Sequence, residues 1–188
     1  MNSELRLIYP AAEHLSSYDE AVKEYEEHNI RTYNFSDSRE YDIFDKFEQY
    51  RSGRDLPPNR VKASYFWLVE ANGFIGEIVI RHSLNEALLK RGGNIGYGIR
   101  YSQWDRGYGT MILKMVLPEA KAIGLDKVLI TCDDDNIGSS KVIEKNGGIL
   151  ENKIIADAYG TTILTRRYWI DLNPHVATLL VRPRIARQ

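Results

Sequence analysis

The sequence predicts an α/β domain (an α+β mixed sheet), mostly antiparallel with one parallel strand pair. Three observations lead there. Ser64 to Glu70 and Phe74 to His82 are two strand patterns joined by Ala71-Asn72-Gly73, and Asn-Gly is a strong hairpin signal. A strand near Asn94 to Tyr101 runs into an apolar helix and then into Lys127 to Thr131, an almost continuous apolar run of the kind buried parallel strands use. Strand, helix and strand at this spacing imply a right-handed crossover. Two final strands, about Ile149 to Ala156 and Thr162 to Asp171, close on a turn from Asp157 to Thr161 that contains Gly160.

The elements follow in order. Leu5-Arg6-Leu7-Ile8 alternates as a first strand and stops at Pro10. Ser16 to Asn29 is a helix with Tyr18, Ala21, Val22 and Tyr25 on one side. A second helical piece is expected from about Ser38 to Arg51, with Tyr41, Phe44, Phe47 and Tyr50 as its stripe. Leu84 to Lys90 is a short helix closed by Gly92-Gly93. On the central strand, alternation puts Ile95, Tyr97, Ile99 and Tyr101 on a core face. Asn94, Gly96, Gly98 and Arg100 take the other face, where two glycines suggest the floor of a groove. Pro118 interrupts the next helix pattern and should bend it. Gly124 is a good stop. Asn136 is placed to cap a helix from about Gly138 to Lys145, ended by Gly147-Gly148.

Length and composition set bounds. The 188 residues suggest one domain, spanning 1–172, followed by a basic tail at 173–188. That tail reads as a loose terminus, a strand added to a partner, or a nucleic-acid arm. The net charge of −1 gives no global attraction to nucleic acid or to an anionic membrane. MNSELRLIYP is not a signal peptide pattern, and no apolar run reaches membrane-spanning length. Cys132 is the lone cysteine, so no internal disulfide is expected. His14, His28, His82 and His175 are scattered without metal-ligand spacing, so no metal is expected. These features fit the cytoplasm.

The chemistry gathers at Trp104-Asp105-Arg106-Gly107-Tyr108-Gly109-Thr110, which leads from the central strand into the helix Met111 to Val116. The first amides of a helix lack internal partners and sit at the positive end of its dipole. With glycines clearing the approach, they make an anion site suited to a diphosphate. No Gly-Lys-Ser/Thr follows, so this is not a Walker loop. Ile112 stands where a dinucleotide fingerprint needs its third glycine.

The turn resembles motif A of the GNAT acetyltransferases, Arg/Gln-x-x-Gly-x-Gly/Ala, with Trp104 in place of the usual Arg or Gln. Asn136-Ile137-Gly138-Ser139-Ser140-Lys141-Val142-Ile143-Glu144-Lys145-Asn146-Gly147-Gly148 resembles motif B of the same family. The order of elements from Leu5 to Leu172 is also the family's. The resemblance implies a three-layer fold with helices on both faces of the sheet. It implies acetyl transfer from acetyl-CoA, as co-substrate, to an amine of a small molecule or peptide. It places the coenzyme on Ile99, Tyr101, Trp104, Arg106, Gly107, Tyr108, Gly109, Thr110, Asn136, Ser139, Ser140 and Lys145. Arg106 is available to replace the missing motif charge. Ile143 departs from the family's tyrosine, which protonates the departing thiolate.

Two catalytic candidates follow. Glu77 is a carboxylate inside the apolar run Phe74 to Ile80, where burial would raise its pKa toward that of a useful base; the plainer reading is a structural or edge-strand glutamate. Tyr97 is a candidate acid by its place on the central strand. Asp133, Asp134 and Asp135 could attract a cationic amine or simply form a solvated, helix-capping loop. A non-catalytic acyl-CoA-binding or sensing module is the alternative function, and a homodimer is possible.

Overall fold

The computed structural model describes residues 4–71, 73–158 and 160–173. Seven strands form one sheet: β1 (Leu5–Ile8), β2 (Ala63–Glu70), β3 (Gly73–Arg81), β4 (Ile95–Ile99), β5 (Lys127–Asp133), β6 (Ile149–Ala158) and β7 (Thr161–Asp171). Their spatial order is β1-β2-β3-β4-β5-β7-β6. The β4–β5 pair is parallel and the other pairs are antiparallel. The predicted mixed sheet is therefore present. Asn72 of the predicted hairpin turn, and the predicted tail beyond Asn173, lie outside the described residues.

Two apolar layers flank the sheet. One holds Ile78, Ile80, Ile95, Ile99 and Ile130 against α4 (Tyr108–Ala122) and α5 (Ile137–Lys145), through Ile112, Leu113, Val116 and Ile143. The other holds Trp67, Val69 and Phe74 against α1 (Leu15–Glu27) and α2 (Ile43–Ser52). In α1 the buried residues are Tyr18, Ala21, Val22 and Tyr25, the stripe that a 3.6-residue repeat presents to a core. A short helix, α3 (Glu86–Lys90), starts at Asn85, whose side chain accepts from the Leu88 amide.

The second helix is shorter than its sequence pattern predicts. It begins at Ile43, because the Asp42 carboxylate accepts from the Phe44 and Asp45 amides and fixes the start there. Gly53, at φ +76°, ends it. Tyr41 thus lies outside the helix and is exposed, and Ile43 and Phe47 are its buried residues. The α4 helix continues through Pro118.

The central strand also departs from simple alternation. Ile95 and Ile99 are buried in the core, and Tyr97 is packed against it. Tyr101 does not extend the face, because the chain leaves the strand at Arg100 for a 3-10 turn, Tyr101–Gln103. Tyr101 is exposed there and stacks on His28, with ring centroids 3.8 Å apart.

Candidate functional site

The parallel register between β4 and β5 runs through one residue pair, Ile95 and Ile130. Just before it, the Asn94 side chain closes the seam. Its Oδ1 accepts from the Leu129 amide and its Nδ2 donates to the Arg81 carbonyl. After it, the two strands part. The Arg100 amide donates to the Ile75 carbonyl and the Arg81 amide to the Asn94 carbonyl. Antiparallel alternation then directs the main-chain groups of Asn94, Gly96, Gly98 and Arg100 to β3. Those of Tyr97 and Ile99 point the other way, into the gap beside β5. The Ile99 carbonyl is already taken: Tyr25 Oη donates to it at 2.8 Å and Trp104 Nε1 at 2.7 Å.

A cleft of about 1050 Å³ passes through this gap and reaches both faces of the sheet. On the α4–α5 side it is lined by Ile99, Trp104, the Gly107 to Thr110 turn, Asn136, Ser139 and Lys145. Gly107, at φ +83°, caps α4 with no side-chain hydrogen bond at that end. An added Cβ at Gly107 would meet nothing within 4 Å. The first amides of α4 therefore open onto clear space at the positive end of a 15-residue helix. A diphosphate group fits such a place, and Lys141 and Lys145 of α5 also line the cleft, whose wall includes the Asn136-capped start of that helix. That start is built by Asn136, whose Oδ1 accepts from the Ser139 amide at 2.9 Å.

The remaining predicted site residues divide. Tyr97 lines the cleft, and its hydroxyl is 2.8 Å from Ser139 Oγ. Burial pushes its pKa up. Tyr101, Arg106 and Ser140 are not among the lining residues. Tyr101 is held by His28. Arg106 is exposed and donates to Gln103 Oε1. Ser140 is buried and turns its hydroxyl back to the Ile137 carbonyl. Ile143 is fully buried in the core, away from the cleft lining. Among the acids, Asp133 pairs with Arg91 and Asp134 with Arg166 and Lys153. These pairings supply a structural role for both.

Glu77 is 1% exposed, below the cleft wall rather than on it. Its Oε1 accepts from Tyr33 Oη and its Oε2 from Trp67 Nε1, both at 2.9 Å. Burial raises its pKa to about 7, against the opposing pull of those two donors. Tyr33 does line the cleft. Its ring lies on Gly98, where an added Cβ would stand 2.6 Å from Tyr33 Cδ1. The glycine face of β4 is thus covered by a tyrosine instead of forming an open floor. Sequence reasoning missed Tyr33, which comes from an irregular segment without a period. Gly98, which the sequence offers as groove floor, was the available signal: a missing side chain also makes room for a covering ring.

Residues 5–149 match the acetyltransferase (GNAT) domain family. The chain belongs to that family of acetyltransferases. Similar solved structures include the microcin C7 self-immunity acetyltransferase MccE, in complex with acetyl-CoA and AMP. It shares 17% identity at TM-score 0.69, over 90% of this chain and 93% of that one. The ribosomal L7/L12 alpha-N-protein acetyltransferase RimL, in complex with coenzyme A, shares 17% at TM-score 0.68, over 89% and 93%. The acetyltransferase yncA from Salmonella typhimurium, with acetyl-CoA, shares 13% at TM-score 0.60, over 92% and 96%. No curated protein matches the chain. No helix among the described residues is long and apolar enough to cross a membrane.

Proposed function

We propose that this acetyltransferase moves an acetyl group from acetyl-CoA to a neutral amine on a small molecule or peptide. One observation carries the reading: an unobstructed helix start at Gly107, without a side-chain capping bond, stands beside the gap into which Ile99 directs its amide. Amides of Tyr108, Gly109 and Thr110 hold the diphosphate, and Asn136, Ser139 and Lys145 flank the arm. The Ile99 amide donates to the thioester carbonyl and stabilises the charge that grows on its oxygen. Acetyl-CoA supplies the activated acyl group. The chain supplies position and proton transfer.

In this reading Glu77 is the base, and it acts through Tyr33. The amine gives its proton to Tyr33 Oη as Tyr33 passes its own to Glu77 Oε1. Tyr97 is the acid that returns a proton to the departing thiolate, a role the buried Ile143 has no group to fill. Thiol release from acetyl-CoA across an amine panel tests the assignment. Turnover on at least one amine is expected. A folded protein that binds acetyl-CoA and acetylates none of them would favour the alternative, an acyl-CoA-binding or sensing module, for which Ile143 speaks.

The same reading places the protein in the cytoplasm, where its co-substrate is available. It also makes the unpaired edge of β6 a homodimer contact. There Ile149 and Ile155 are 75% and 73% exposed.

A further inference from the structure

On the α1–α2 side of the sheet the cleft is walled by Tyr65, Val79, Arg81 and Gly96, and roofed by Tyr33 and Lys46. Two cations here have no carboxylate partner among the described residues. Lys46 Nζ donates to the hydroxyls of Ser36 and Tyr41, at 3.0 and 2.7 Å. Arg81 Nη1 donates to the carbonyls of Gly92 and Gly93, at 3.0 and 3.2 Å. Its guanidinium lies over Gly96, with Nη1 and Nη2 each 3.5 Å from where a Cβ would stand. Arg91, the other arginine of the cleft, is neutralised by Asp133 at 2.7 Å. Glu77 interacts with Lys46 through space, but its two oxygens are hydrogen-bonded to Tyr33 and Trp67 and it makes no ion pair with either cation.

Half-buried cations without a counter-charge are costly unless a ligand supplies one. A guanidinium and an ammonium on one wall suit a carboxylate or a phosphate. In the proposed function the coenzyme's diphosphate takes the opposite side of the sheet, at the Gly107 turn, where Lys141 and Lys145 also line the cleft. The anion therefore belongs to the acceptor. We propose that the acetyl acceptor is an amine bearing an anionic group, carboxylate or phosphate, which Arg81 and Lys46 hold while the amine faces Tyr33. Polycationic amines are disfavoured by the same charges. This rests on the acetyl-transfer reading of the same cleft.

The test uses the full chain at saturating acetyl-CoA with matched acceptors: amino acids against their amides, and phosphoethanolamine against ethanolamine. The anionic member of at least one pair should exceed its neutral partner in kcat/KM by about tenfold or more. Preference within the amino-acid pairs or within the phosphate pair identifies which anion is used. Lys46→Met should erase most of that preference and leave acetyl-CoA affinity, measured by calorimetry, unchanged. Arg81→Gln should do the same if it folds; Lys46 bonds only two hydroxyls, so its variant keeps the test available. Equal or better turnover of the neutral partners overturns the proposal, as does a preference that survives Lys46→Met. If nothing turns over, calorimetry on the enzyme–coenzyme A complex decides. Binding of anionic members alone upholds the subsite, and binding of none overturns it. Failure to bind acetyl-CoA at all would instead sink the transferase reading.

Discussion

The Tyr33 ring lies against the backbone of Gly98, with its hydroxyl 2.9 Å from the carboxylate of Glu77, the residue paired with Gly98 across the sheet. The absent side chain of one strand residue admits the ring that covers its neighbour's acid. Gly98→Ala should therefore displace Tyr33 and cost about 1–3 kcal/mol, as overpacking does. Thermal unfolding would measure the loss. Combining it with Tyr33→Ala should recover part of the stability while leaving activity low.

The Gly107 turn gives a cleaner separation of binding from folding. A side chain there has room but meets a left-handed backbone, which costs about 1 kcal/mol in a non-glycine residue. Gly107→Asp adds a negative charge at the helix start. Its affinity for acetyl-CoA should fall by about tenfold or more, well beyond the effect of Gly107→Ala on the same calorimetric titration.

Glu77 predicts opposite pH trends for stability and rate. Its pKa is about 7 in the fold, against an ordinary 4.5. The folded state holds this proton more tightly than the unfolded chain does. The stability it contributes is full below about pH 4.5 and is lost as the pH rises through 7. The slope approaches about 1.4 kcal/mol per pH unit in between. Glu77→Gln should flatten that part of the denaturation profile. Catalysis needs the carboxylate, so kcat/KM should rise with pH and level off above 7. Tyr33 lowers the pKa of Glu77 by its hydrogen bond. Tyr33→Phe should consequently move the Glu77 step of the denaturation profile to higher pH, and should lower kcat at every pH because the relay hydroxyl is gone; an unmoved step would remove Glu77 as the titrating group.

Two donors fix the Ile99 carbonyl, and through it the peptide that ends β4. Tyr25→Phe should cost about 1 kcal/mol and leave the Trp104 bond in place. Trp104→Phe should cost a similar amount. The pair together should lower kcat more than the coenzyme affinity, because the lost restraint is on the polarising backbone. Steady-state kinetics set against calorimetry would separate the two effects.

Most of the frame was legible where local chemistry and packing agree. The Asn136 cap, the glycines of the turn and the strand–helix–strand run each carry their own signal, and the structure places them accordingly. The site's acceptor side was less so. Glu77 stood out within an apolar run, but nothing local connects it to Tyr33, which reaches it from a segment with no repeat. Tyr101 was misplaced by extending alternation past Arg100, where the chain turns. Trp104 read as a defect in a motif, yet its indole holds the Ile99 carbonyl in place. Arg106, the suggested replacement charge, faces solvent instead.

Asn94 clasps the β4–β5 seam, between β1–β4 on one flank and β5–β7 on the other, with its side chain and with its own amide, which donates to the Leu129 carbonyl. The sheet is thus two blades riveted along one short seam, with helix α4 packed on the blade that holds β3 and β4. Slow hydrogen exchange at the Leu129 amide would report how firmly that rivet holds. Asn94→Asp, which lacks a donor for the Arg81 carbonyl, should let the blades swing apart and hasten that exchange without first melting either one.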